Sequence, residues 1–241
     1  MELEERYRTA GEAGLLVPLL AAELQSQAGD ADRDVLGATY KRALVGGGGR
    51  KLYDALKAAA PFGCTICGLG KVAELDHHAP KTTFPLLALT PLNLLPVCGP
   101  CNRSKSNSFT VDLAEEPFHP YFDDLGTPRW LFAEIHSANG GAVAEFSVRP
   151  PDDWPERKAK RLVHHFKNRL ANFADETTRP LANRRRRDMR MLDSLGPEQL
   201  RAHILEEADS HAAVDPNDWE TAWLYGLANC DWYLIGGMKE I

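Results

Sequence analysis

Residues 75–81, "LDHHAPK", decide how this chain is read. An aspartate, two adjacent histidines, a proline and a lysine stand between two cysteine pairs, "CTIC" at 64–67 and "CGPC" at 98–101, with thirty residues separating the pairs. Each C-x2-C turn aims two sulfurs at one point. Cys64, Cys67, Cys98 and Cys101 therefore predict a tetrahedral four-thiolate zinc site. Such a site is structural, because sulfur fills all four positions and leaves none open for a reacting group. Glycines beside both pairs suit tight knuckle turns. A redox role is disfavoured, since two pairs compete for it and no βαβ setting surrounds them. Catalysis, if present, has to come from other residues.

The insert between the pairs, "GLGKVAELDHHAPKTTFPLLALTPLNLLPV", is longer than a plain zinc ribbon requires. "KVAELDHH" alternates as a strand, and "LNLLPV" can return antiparallel to it. "CNRSKSN" can open a helix with Asn102 in its first turn. Each polar residue has a plain structural use as well. Asp76 can cap a turn, His77 and His78 can end a strand, Asn93 can form an Asx turn and Asn102 can cap the helix. Lys81 and Lys105 can be solvated surface charges.

In order, "C-x2-C … ELDHHAPK … LNLLPVCGPCNRSK" resembles the HNH endonuclease superfamily, in the branch with a four-cysteine structural zinc. The resemblance spans Cys64 to Lys105 and implies a ββα-metal core. It implies Asp76 and Asn102 as ligands of one divalent cation, His77 as general base, and Asn93 positioning that base through nearby backbone. The products would carry 5′-phosphate and 3′-hydroxyl ends. Lys81, Arg103 and Lys105 would then reach toward phosphates. The chemistry agrees: carboxylate and amide oxygens suit Mg2+ or Mn2+, and a neutral imidazole can take a proton from water. Some relatives carry a His-His pair whose first member is a ligand and whose second is the base. The adjacency of Asp76 and the spacing from His77 to Pro80 favour His77 as the base. Strand alternation sends His78 to the other face, as a supporting group, a DNA contact or a surface residue. "PFHPYFDD" at 117–124 also looks like bacterial HNH proteins linked to anti-phage defence, some encoded beside an ATPase, as in Septu systems.

At 241 residues, 44% hydrophobic and 26% charged, the chain has the composition of an ordinary globular protein. Its start is acidic and its first apolar run is short and holds Pro18, so neither a signal peptide nor a membrane span is expected, and the cytoplasm is the expected compartment. Net charge is −6, but its distribution is uneven. Residues 157–169 hold six bases and no acid, residues 179–190 hold six arginines and one acid, and the chain from Asp193 onward holds ten acids and two bases. The basic helix and "RRRR" at 184–187 are candidates to follow a phosphate backbone, and the acidic tail suggests a protein partner.

The expected fold class is α+β: a central ββα-metal core with zinc knuckles, flanked by helical regions. The boundaries drawn are 1–60 helical, 61–115 nuclease core, 116–151 loop and hairpin, and 152–241 helical. The expected activity is metal-dependent hydrolysis of DNA, double-stranded in the first instance, with a regulatory partner such as an ATPase. The competing classes are a non-catalytic zinc module that binds nucleic acid or protein, and a nuclease acting on RNA.

Overall fold

The computed structural model describes residues 2–21, 30–107, 109–138, 141–170 and 173–237. It is a mixed fold of helices and two small antiparallel sheets. Contacts divide the chain into two compact units, residues 1–124 with 156–169, and residues 125–155 with 170–241. The four regions expected from the sequence are thereby regrouped. Segment 116–124 and the first C-terminal helix belong with the cysteine-bearing unit, and the hairpin belongs with the remaining helices.

The first unit opens with α1 (Glu2–Glu12) and the single turn α2 (Leu16–Leu19); the apolar pattern that follows α2 falls largely outside the described residues. Then come α3 (Asp30–Thr39), continuing into a π-helical stretch Tyr40–Val45, and α4 (Arg50–Ala58). The glycine run at 46–49 is the expected break between them. Next come β1 (Glu74–His77), β2 (Leu94–Val97) and α5 (Gly99–Lys105). The strands pair antiparallel, with Asp76 opposite Leu95 and His77 opposite Leu94. Alternation divides the hairpin between two apolar clusters. Leu75 and Leu94 join Tyr40, Leu44 and Tyr53, while Leu95 and Val97 join the cysteines. A third cluster gathers Tyr7, Leu16 and Leu20 around Ala79, Phe84 and Leu87 of the β1–β2 connection. Burying each leucine-sized side chain contributes about 1.5–3 kcal/mol, so three small clusters hold what one short hairpin cannot.

In the second unit the expected hairpin is present as β3 (Leu131–Ala138) and β4 (Gly141–Val148), its turn residues 139–140 lying outside the described set. Leu131, Ala133, Ile135, Ala144 and Phe146 form its buried face. The remaining elements are α6 (Glu156–His165, in the first unit), α7 (Phe173–Leu195), α8 (Pro197–Ala212), α9 (Trp219–Ala228) and α10 (Asp231–Leu234). Helix α9 packs on β3 and α7 on β4. A Cβ at Gly226 would stand 2.6 Å from the Ala133 carbonyl oxygen, so only glycine lets α9 approach that strand. The run 218–235, within the region expected to be helical, forms two helices, α9 and α10. The Asn229 side chain donates to the Tyr225 carbonyl at 2.8 Å and closes α9. Of the five tryptophans, Trp130 and Trp223 are buried and the others half-buried.

Candidate functional site

The four cysteine sulfurs lie within 4.8 Å of one another, and Cys67 Sγ stands 3.9 Å from Cys98 Sγ. All four thiols are free. Sulfurs on a tetrahedron around one zinc, each about 2.3 Å from it, would be about 3.8 Å apart, so the cluster is compatible with a structural metal. Local backbone builds the first knuckle. Cys64 N–H donates to the Gly70 carbonyl and Gly68 N–H to the Cys64 carbonyl, both at 2.8 Å, with Gly68 at φ +69°. Gly70 has no room for a side chain, because a Cβ would meet Cys98 Cβ at 2.6 Å. Thr65 donates both its N–H and its hydroxyl to the Pro96 carbonyl, tying this knuckle to β2. Hydrogen bonds from Cys101 and Cys67 hold the Cys64 thiol far below its ordinary value, and the same contacts hold Cys101 high.

At the end of β1, His77 is 3% exposed. Its Nε2–H donates to the Ala88 carbonyl at 3.0 Å, and its ring meets Tyr40 edge-on at 4.6 Å. That bond puts the ring proton on Nε2 and leaves the lone pair on Nδ1. Burial, then the charges of Lys81 and Lys105, pushes the His77 pKa down to about 4, so the imidazole is neutral at pH 7. Asp76 accepts the His77 backbone N–H through Oδ1 at 2.7 Å, and its Oδ2 lies 3.2 Å from Lys105 Nζ.

Asn93 is wholly buried and uses its amide fully. Oδ1 accepts from Ala79 N–H at 2.7 Å and from the Tyr7 hydroxyl at 3.1 Å. Nδ2 donates to the carbonyls of Ala79 at 3.1 Å and Leu87 at 3.2 Å. Asn93 thus clamps the chain just after His77 and just before Ala88, whose carbonyl orients the His77 ring. Asp76, His77 and Asn93 are brought together in this way. Asn102 stands one turn before Lys105 on α5, half-buried, and so shares the face whose lysine meets Asp76.

Two expectations about charge are corrected. Lys105, expected to reach phosphate, is 3% exposed; its ammonium is consumed by Asp76 and the His77 carbonyl. The basic helix also turns Arg157 and Arg161 inward. Arg161 donates to both Asp123 oxygens, at 2.8 and 2.7 Å, and to the Glu116 and Pro117 carbonyls, while Arg157 pairs with Glu116. In the arginine run, Arg184 and Arg187 bind the fully buried Asp188 and also Glu207. Internal carboxylates claim these side chains because a buried guanidinium needs a paired anion. Arg103 is exposed, and Lys81 is half-buried with its ammonium 5.5 Å from the centre of the Tyr40 ring.

His77 and His78 separate as alternation requires. His78 turns to the ring of His119, 4.3 Å between centroids, and lines a cleft of about 420 Å3 with Ser104, Phe109, Glu115 and His164. His119 accepts from Tyr121 N–H at Nδ1, so its Nε2–H faces the Tyr7 hydroxyl at 3.3 Å and, through it, Asn93. Tyr7 and Tyr40 are contributors that short-range sequence reading missed, their only signal being an aromatic residue on a helix. His119, between Phe118 and Pro120, is legible in the sequence either as a residue closing over the site or as part of a packed loop.

No family model matches this chain, and no solved structure matches it. It is 27% identical over 194 residues to "Protein ea31" of Escherichia phage lambda, a match covering 75% of this chain and 65% of that protein. The match thus takes in less than two thirds of the relative's length. Among the described residues, no helix is long and apolar enough to cross a membrane.

Proposed function

We propose that this chain is a metal-dependent endonuclease of the HNH type that hydrolyses phosphodiester bonds of DNA. The observation that carries the reading is the setting of His77. It is a neutral imidazole fixed through Nε2–H to Ala88, next to a carboxylate and clamped by a saturated asparagine. With Nε2 engaged, Nδ1 of His77 is the atom that would take the proton from an attacking water. Asn93 acts through backbone, holding the ring's angle. Asp76 and Asn102 are oxygen donors of the type a hard cation takes, and they would hold one Mg2+ or Mn2+, with Lys105 sharing the Asp76 carboxylate. That ion, when bound, would stabilise charge on the phosphate and the leaving 3′ oxygen. The four thiolates would hold zinc, which keeps β1, β2 and α5 in register.

The test is a cleavage assay on plasmid DNA and on RNA with each metal in turn, comparing wild type with His77→Ala. Loss of about 10²–10⁴-fold in a folded variant is expected. Full activity in that variant would falsify the assignment, and preference for RNA would move the substrate class.

One observation favours a second reading, a non-catalytic zinc module that binds nucleic acid or protein. Asp76 already has a buried ammonium partner in Lys105 and needs no cation to be satisfied. Binding without cleavage under any divalent metal would select it. A place in anti-phage defence beside an ATPase rests on the resemblance of "PFHPYFDD" alone; the relative found is itself phage-encoded. Co-purification from the native host tests that partner.

A further inference from the structure

Arg157, Arg161, Arg184 and Arg187 of the runs that advertised nucleic-acid binding are held by internal carboxylates, and the first unit carries a second set of cations. Between positions 41 and 57 stand Lys41, Arg42, Arg50, Lys51 and Lys57 against one acid, Asp54. On α4, Arg50, Tyr53 and Lys57 fall at i, i+3 and i+7 and share a face. Arg50 lies 5.2 Å and Lys57 Nζ 5.7 Å from the centre of the Tyr53 ring. Tyr53 shares an apolar cluster with Tyr40, and Tyr40 carries Lys81 at 5.5 Å and touches the His77 ring at 4.6 Å. A row of cations therefore begins on α4 and ends beside His77.

A tyrosine face holds a cation in place without neutralising it, so these charges remain available to an outside anion. Arg50 is also held by Asp54, its Nε 3.0 Å from both carboxylate oxygens and its Nη2 2.9 Å from one; both side chains are more than half exposed, so solvent screens the pair and the guanidinium can exchange it for an outside anion. Lys57 donates only to the Ala73 carbonyl, and among the described residues no carboxylate lies within ion-pair distance of Lys51 or Lys81. Helix α4 rises about 10 Å from Arg50 to Lys57, the axial reach of roughly three base pairs. A row of that length fits a repeating polyanion better than a single small anion.

We infer that the strip of Arg50, Lys57 and Lys81, flanked on α4 by the exposed Lys51, is the surface that follows the phosphate backbone of duplex DNA to the His77 site. The endpoint at His77 rests on the nuclease reading; the strip itself is tested by binding. The probe is a labelled short DNA duplex of mixed sequence, titrated in EDTA over a series of salt concentrations. In Arg50→Gln/Lys51→Gln/Lys57→Gln, affinity should fall at least about tenfold and the salt slope should shrink by about 3, near one per lost phosphate contact. Lys51→Glu alone, at an exposed position that cannot disturb packing, should weaken binding about three- to tenfold in the same direction. Arg186→Gln/Arg190→Gln, exposed members of the arginine run, should bind within about twofold of wild type.

Wild-type affinity in the α4 triple variant and in Lys51→Glu overturns the proposal, as does an equal loss in the Arg186/Arg190 control. Tighter binding of an RNA duplex through the same strip overturns DNA as its partner. If wild type cleaves and the α4 variants bind normally, the strip is refuted and the nuclease reading stands. If binding depends on the strip and nothing is cleaved, the nuclease reading falls and the strip stands.

Discussion

In the first unit one set of buried polar side chains converges on one loop; in the second, buried Asp188 ties helices together. Asn93, Tyr7, His119, Asp76 and Lys105 all bear, directly or through a short relay, on the backbone around His77. Asp188 is as deeply buried, but its partners are Arg184, Arg187 and Tyr233, which join α7 to its neighbours and orient no loop. Both arrangements satisfy buried charge. Only the first aims a titratable ring with one nitrogen engaged and the other holding a lone pair. A buried polar residue therefore says little about function until its partners are known.

The largest expected effect separates the units by metal. Chelation or Cys98→Ser should remove one zinc per chain and about 10 kcal/mol of stabilisation from the cysteine-bearing unit. Hydrogen exchange should then quicken across residues 64–105 while β3, β4 and α9 keep their protection. Unchanged exchange at 64–105 in metal-free protein would break the contrast.

Second in size, on the proposed nuclease reading, is the rate effect at His77, where alanine should remove about 3–5 kcal/mol of transition-state stabilisation with the fold retained, read from cleavage kinetics. Third, Asp188→Ala should cost about 3 kcal/mol of stability, by denaturant melting, and leave cleavage per folded molecule unchanged. Asn93→Ala should cost a similar amount and also slow cleavage by at least about tenfold, because it frees the carbonyl side of the loop as well. Equal cleavage rates in the two variants would erase the distinction between them.

The smallest effect is pH dependence. Burial pushes the His119 pKa from 6.5 down to about 4. Between those values the unfolded chain binds a proton that the folded chain refuses. The neutral ring's contribution is therefore fully present above pH 6.5 and is lost as pH falls toward 4, up to about 3 kcal/mol in all. His119→Gln should flatten the fall in melting temperature over that window. An unaltered acid limb would mean that His119 takes its proton without cost.

Much of the first unit is legible in short-range pattern. The cysteine spacing, the alternation of "KVAELDHH" and the return of "LNLLPV" correspond to the sulfur cluster and to β1 paired with β2. The hairpin at 131–148 is legible for the same reason, since a period of two survives in a dozen residues. Charge is where the reading failed. A run of arginines looks the same whether it faces solvent or a carboxylate forty residues away, as Arg161 faces Asp123. The grouping of segments into units was not legible either, because α6 is tied to segment 116–123 by Arg157 and Arg161.

The sequence by itself determined that four thiols meet, that a strand carries Asp76 and His77 between them, and that His77 and His78 point apart. These follow from spacing and from the two-residue period of a strand, which are local properties. Tertiary structure decided that Lys105 is an internal counterion, that Asn93 spends three of its four hydrogen bonds on one loop and the fourth on Tyr7, and that Arg161 and Arg184 are held by carboxylates. Those outcomes depend on which groups come within about 3 Å after the chain has closed on itself, and desolvation then leaves a buried charge or amide no choice but to bond the partner it meets.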